Sequence, residues 1–227
     1  MAFIAGARIV AAVMIVLALG VQAWADLSYG TFTWSQLPGY FTPLAAIAAA
    51  VALVAAALWA PTSSKAAARG TEPSWVSLLR VNAATYGVIT GAVYWSFLSG
   101  VATPIFPWAN FILHGGAGAV LVADWLLIGK RDRLPLSTVW TVLVVPGIWI
   151  SYLLVRSHVD GWVPYAFLDP ALGAASVAST VGGIAAIGVG VAALLHLVVW
   201  RRRPLPAPAR AGTPRAREAL STSRTVI

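Results

Sequence analysis

The 227-residue sequence has no cysteine, only seven acidic residues, three histidines and two lysines, and charged residues make up 10% of it. Without cysteine there is no disulfide, no thiolate nucleophile and no iron–sulfur or Cys-type zinc centre. Soluble domains carry about a quarter charged residues. A chain this poor in charge, 59% hydrophobic and with a mean hydropathy of +0.82, is not a soluble globule. No internal repeat is evident and no ring of pore charges exists, which argues against a duplicated transporter or a channel.

What the sequence has instead is apolar length. Six stretches of roughly 20 residues, each able to cross a ~30 Å hydrocarbon core, lie at Ile4 to Trp24, Phe41 to Trp59, Ser77 to Leu98, Trp108 to Ile128, Leu136 to Val155 and Ala174 to Trp200. Trp24, Trp59, Trp108 and Trp200 stand where interfacial aromatics are expected. The prediction is an all-α polytopic membrane protein with a six-helix domain over residues 1–200 and a disordered basic cytoplasmic tail over 201–227. Lys65 and Arg69 fall in the second connection, Lys130, Arg131 and Arg133 in the fourth, and an Arg cluster follows the sixth span, whereas connections one and three carry no Lys or Arg. By the positive-inside rule both termini are cytoplasmic. The net charge of +8 is therefore read as topology and not as nucleic-acid binding. The fifth connection is then external and holds His158, Asp160 and Asp169, with Arg156 at its edge. Residues 1–25 also fit a signal peptide, since Arg8 precedes an apolar run and Ala23-Trp24-Ala25 precedes Asp26; the loop-charge alternation favours a retained helix.

Small residues at four-residue spacing mark close helix contacts in lipid. Ala174, Ala178, Gly182, Ala186 and Gly190 make such a stripe on the sixth span, expected as a helix–helix seam. Pro146-Gly147 should weaken or bend the fifth span, either shaping a cavity or making a structural kink only.

Ionisable groups inside a span are expensive, and few occur. At 100° per residue, Asn110, His114 and Asp124 share one face of the fourth span within an ~80° sector. His114 and Asp124 are separated by ~15 Å along the axis, too far for a dyad. Asp124 falls at the depth of Arg80 and Asn82 on the third span, which predicts a structural ion pair. Bis-histidine haem ligation fails on depth, because His196 lies near the cytoplasmic end and His114 in the outer half. Neither metal nor cofactor is expected, for want of a ligand cluster.

Three groups of residues carry a family resemblance. Gly39-Tyr40-Phe41-Thr42 opens span two; Asn110-Phe111-x-x-His114 precedes Asp124-Trp125-Leu126-Leu127 in span four; and Trp162-x-Pro164-Tyr165-x-Phe167-Leu168-Asp169-Pro170 precedes span six. In order and spacing the chain resembles bacterial six-span relatives of the androgen-induced protein family, over nearly all of the membrane portion and not the tail. It differs from their usual pattern at Pro43, Ala45, Ala46 and Gly118. The resemblance implies an intramembrane hydrolase of fatty-acid esters of hydroxy fatty acids, with Thr42 as nucleophile and His114 as base.

On the predicted topology both residues belong to the outer leaflet, where an imidazole within ~3 Å of the hydroxyl would take its proton. Asn110, one turn from His114 on the same face, is placed by its spacing as an oxyanion donor. Tyr86, Thr90, Tyr94 and Phe97 fall on one side of span three and are candidates to line an acyl slot, aromatic packing being the alternative. Arg156 is a candidate partner for a lipid carboxylate, or else an interfacial anchor paired with Asp160 at i+4. For Thr42, followed by Pro43, the non-catalytic reading is a helix N-cap. The expected partners are membrane lipids and a fatty-acyl ester, in a bacterial plasma membrane; the competing function is a non-catalytic lipid-binding or assembly subunit.

Overall fold

The computed structural model describes residues 2–30, 33–59, 72–101, 103–128 and 134–201. Six helices are long and apolar enough to span a membrane: α1 (Ala2–Ser28), α2 (Phe41–Trp59), α3 (Ser74–Leu98), α4 (Pro107–Leu127), α5 (Leu136–Asp160) and α6 (Ala174–Val199). The described residues are helical without strands, and the chain is an all-α, six-span integral membrane protein. Lys65, Arg69, Lys130, Arg131, Arg133 and residues 202–227, on which the charge alternation and the tail assignment rest, lie outside the described residues. Connections one, three and five gather at one end of the bundle, which we call the upper end.

Helices α1 to α4 pack in chain order, and α6 closes against α3 and the start of α5. Contact with α2 is close because one of its faces is nearly all alanine, with Ala45, Ala49, Ala52 and Ala56 buried around Leu53. The α3–α4 crossing is closer still. A Cβ added at Gly87 would lie 2.6 Å from the Gly118 Cα, and one at Gly91 would lie 2.8 Å from the His114 carbonyl oxygen. Only glycine allows the two backbones this approach, which fixes how far His114 stands from α3. Trp125 on α4 is buried and donates its indole N–H to the Leu195 carbonyl on α6 at 2.9 Å.

The expected seam on α6 is a correction. Ala174, Ala178, Gly182, Ala186 and Gly190 face outward and are exposed, while Gly188, Ala192 and Leu195 turn inward. Four-residue spacing defines a stripe, but not which way the stripe faces. Helix α5 begins with 3₁₀ geometry over Leu136–Leu143 and becomes α-helical from Val144. Pro146 thus sits in the first turn after the change, where its missing N–H is tolerated. The helix continues to Asp160, and Gly161 ends it in the left-handed region at φ +70. His158 and Asp160 accordingly belong to its last turn and not to a loop.

At the lower end the expected Arg80–Asp124 pair is present but belongs to a larger group. Arg80 donates from Nε to Asp124 at 2.9 Å and from Nη1 to Glu72 at 2.7 Å, and Ser77 donates to Glu72 at 2.6 Å. Arg8 reaches across from α1, donating from Nε to Asp124 at 2.8 Å and from Nη1 to the Ala56 carbonyl at 2.7 Å. The two cations and two anions are buried and sum to zero, which is what an ion cluster needs where water is scarce. Asn82 is a correction: its side chain donates to Thr141 on α5 at 3.0 Å and takes no part in this cluster. Arg8 and Glu72 were not anticipated, because a lone Arg before an apolar run and a Glu in a connection carry no sequence mark of pairing.

Candidate active site

Phe41 starts α2, so Thr42 lies inside its first turn instead of at the N-cap. Its hydroxyl is directed across the bundle, with Oγ1 3.1 Å from Nε2 of His114 on α4. The other ring nitrogen, Nδ1, is 3.1 Å from the Asn110 backbone carbonyl. A carbonyl can only accept, so Nδ1 carries the proton and Nε2 offers its lone pair to the threonine hydroxyl. This is the tautomer a general base requires.

Two features hold the imidazole. Residues Ile112–Gly116 form a wide π-helical turn within α4, and the Tyr94 ring stacks on the His114 ring with centroids 3.9 Å apart and planes at 20°. Asn110 supports both. Its carbonyl takes the Nδ1 proton, and its side-chain amide donates to the Tyr94 hydroxyl at 2.8 Å. The expected oxyanion role of Asn110 is therefore corrected: it does not line the cavity beside Thr42, and it positions His114 instead.

Thr42 and His114 face a partly open cavity of about 310 Å³ bordered by α2 to α6 and the fifth connection, lined almost wholly by apolar atoms. Tyr86, Thr90 and Tyr94 line it as expected. Phe97 does not; it is 60% exposed and packs on Phe167. Pro146 and Gly147 form part of the wall. The Thr90 hydroxyl is buried and has no hydrogen-bond partner among the described residues.

Arg156 is likewise outside the cavity lining. It pairs with Asp160 at 3.0 Å, donates to the Ser35 carbonyl and lies 4.2 Å over the Trp162 ring. With Trp149, whose indole donates to the Gly39 carbonyl at 3.1 Å, it fastens the top of α5 to the segment that leads into Thr42.

Tyr165, in the fifth connection, was quoted in the motif without a role. Its hydroxyl oxygen accepts the Phe41 backbone N–H at 3.1 Å, in the wall of the cavity that Thr42 also lines. Burial pushes its phenol up to about 12, so it remains a proton donor throughout the neutral range. Sequence separation hid this contact, since 124 residues lie between Phe41 and Tyr165.

A second threonine–histidine pair exists lower in the bundle, where His196 Nε2 is 3.1 Å from Thr138 Oγ1 and Nδ1 is 2.8 Å from the Ala192 carbonyl. Thr138 already donates its proton to the Pro135 carbonyl at 2.6 Å, and neither residue borders the cavity. Of these two pairs, Thr42 and His114 border the cavity and Thr138 and His196 do not. Among the described residues no group of three or more His, Asp or Glu is arranged to hold a metal. Comparison of the chain with protein-family models, with curated proteins and with solved structures returns no match.

Proposed function

We propose that the protein is an intramembrane lipid ester hydrolase acting on fatty-acyl esters in the outer leaflet of a bacterial plasma membrane, with Thr42 as nucleophile and His114 as general base. The observation that carries this reading is the 3.1 Å contact between the Thr42 hydroxyl and His114 Nε2, opening on an apolar cavity.

The acyl chain lies in the cavity with its ester carbonyl beside Thr42. His114 accepts the hydroxyl proton as Oγ1 bonds to the carbonyl carbon. The tetrahedral intermediate then expels the alcohol, which takes that proton from His114, leaving acyl-Thr42. Water attacks the acyl group with His114 again accepting a proton, and the free acid leaves as Thr42 regains its hydrogen. The Nδ1 bond to the Asn110 carbonyl and the stacked Tyr94 ring keep Nε2 aimed at Oγ1 throughout. The resemblance to androgen-induced protein relatives supports the same assignment.

The test uses the purified full chain in detergent, incubated with p-nitrophenyl decanoate and, separately, with a fluorophosphonate probe. Wild type should hydrolyse the ester and take up the label, and Thr42→Ala and His114→Ala should each lose both while melting as wild type does. Hydrolysis that survives in Thr42→Ala defeats the reading. A folded wild type that binds the ester without turnover is a lipid-binding subunit instead.

A further inference from the structure

The pair described above lacks one component that acyl transfer requires. As Thr42 attacks, negative charge develops on the substrate carbonyl oxygen, and inside an apolar cavity that charge must meet a donor. Asn110 does not border the cavity, and its amide donates to Tyr94. The Trp95 indole is spent on the His114 carbonyl at 3.0 Å. Of the polar side chains in the cavity wall, Tyr165 is the one whose hydroxyl is bonded to the peptide N–H that precedes Thr42.

The direction of these bonds follows from counting protons. Thr42 gives its single hydrogen to His114 Nε2, so its oxygen can only accept from anything else. The Phe41 N–H can only donate, and the Tyr165 oxygen accepts it. The Tyr165 hydrogen is thus not used by Phe41 and is left to donate in the cavity wall it shares with Thr42. A hydroxyl that accepts a hydrogen bond is strengthened as a donor.

We propose that Tyr165 is the oxyanion donor of the hydrolase, its O–H turned onto the substrate carbonyl oxygen during attack. This rests on the hydrolase reading. When Oγ1 forms its bond to carbon, the carbonyl oxygen on that carbon gains negative charge and becomes the strongest acceptor beside the phenol. The phenol turns its O–H onto it without moving its ring. No proton is transferred to or from Tyr165; only its hydrogen-bond acceptor changes.

The ring is held for this task. It stacks on Phe167 with centroids 5.2 Å apart and planes at 5°, meets Tyr40 edge-on at 6.0 Å, and contacts Trp149 at 6.2 Å. Because Tyr165 comes from the fifth connection and Thr42 from the start of α2, the donor and the nucleophile are brought into register only when those two segments are docked. The Phe41 N–H bond to Tyr165 and the edge-on contacts of Tyr40 with Trp162 and Tyr165 make this docking.

The experiment compares wild type, Tyr165→Phe and Thr42→Ala on p-nitrophenyl decanoate and on its thionoester, in which sulfur replaces the carbonyl oxygen. Sulfur accepts hydrogen bonds weakly, so an oxyanion donor makes the enzyme prefer the oxygen ester. Tyr165→Phe should lower kcat on the oxygen ester by about 10²–10³-fold with little change in KM, and should bring the oxygen-to-sulfur ratio of kcat/KM down towards the nonenzymatic ratio. That ratio is independent of the fraction of folded enzyme, so it reads the donor even if the variant is less stable. A kcat within threefold of wild type overturns the proposal, as does a lower kcat with an unchanged ratio, which is a packing defect. Failure of the hydrolase reading is distinct: there, Thr42→Ala turns over the oxygen ester as fast as wild type, or wild type does not turn it over at all.

Discussion

Replacing Asp124 by Asn probes how much of the bundle depends on its buried charges. The carboxylate accepts three hydrogen bonds from guanidinium groups, one from Arg8 Nε at 2.8 Å and two from Arg80, at 2.9 Å from Nε and 2.5 Å from Nη2. Hydrogen bonds to charged groups contribute about 1.5–3 kcal/mol each. An Asn side chain whose oxygen faces Arg80 keeps two of these bonds and turns its NH₂ toward Arg8, so one bond is lost, and a cluster that summed to zero is left with one uncompensated positive charge. Bond and charge together make the loss ~3–5 kcal/mol, as is typical of breaking a buried pair. For a chain of this length that lowers the melting temperature by ~6–20 °C. Tryptophan fluorescence during thermal unfolding in detergent measures it, since Trp125 lies with its ring centroid 5.7 Å from the Arg80 guanidinium carbon. The charge argument makes a second demand. Arg8→Met combined with Asp124→Asn restores neutrality and should melt above Asp124→Asn alone. A fall of less than about 2 °C for Asp124→Asn, or a double variant destabilised by the sum of the singles, would refute the reasoning.

Two further outcomes follow from the packing. Gly118→Ala puts a Cβ 2.8 Å from the Gly87 carbonyl carbon and 2.9 Å from its oxygen, neither of which can swing aside; overpacking should cost ~1–3 kcal/mol, more than the helix propensity gained, and should reduce fluorophosphonate labelling of Thr42 well below the melting range because α4 carries His114 away from α3. Thr90→Val substitutes a methyl for a buried hydroxyl without a partner and should raise stability by ~1–3 kcal/mol in the same unfolding assay, whereas a fall would mean that the hydroxyl is paired in the folded protein.

Much of the architecture was legible because lipid imposes simple rules. Apolar length gave the six spans to within a few residues, except that α5 runs on to Asp160, because nothing before Gly161 stops a helix. The depth of Arg80 and Asp124 gave their pairing, since a charge buried in an apolar bundle must find its opposite at the same level. Thr42 and His114 were identified by resemblance, and the shared side of the bundle was consistent with it. Residue order alone left open whether the two side chains would touch.

What needed the tertiary structure were the contacts for which the sequence has no period. Spacing drew the small-residue stripe on α6 but did not say that it faces away from the bundle. It placed Asn110 on the face of His114, but the choice between an oxyanion donor and a positioning residue depended on where Tyr94 stacks. Arg8 and Tyr165 lie 116 residues from Asp124 and 124 residues from Phe41 respectively. Composition and periodicity determine which segments enter the membrane, because transfer into lipid is a property of each segment. Which polar groups meet there is decided by how the helices pack, because a hydrogen bond depends on two partners and on their separation.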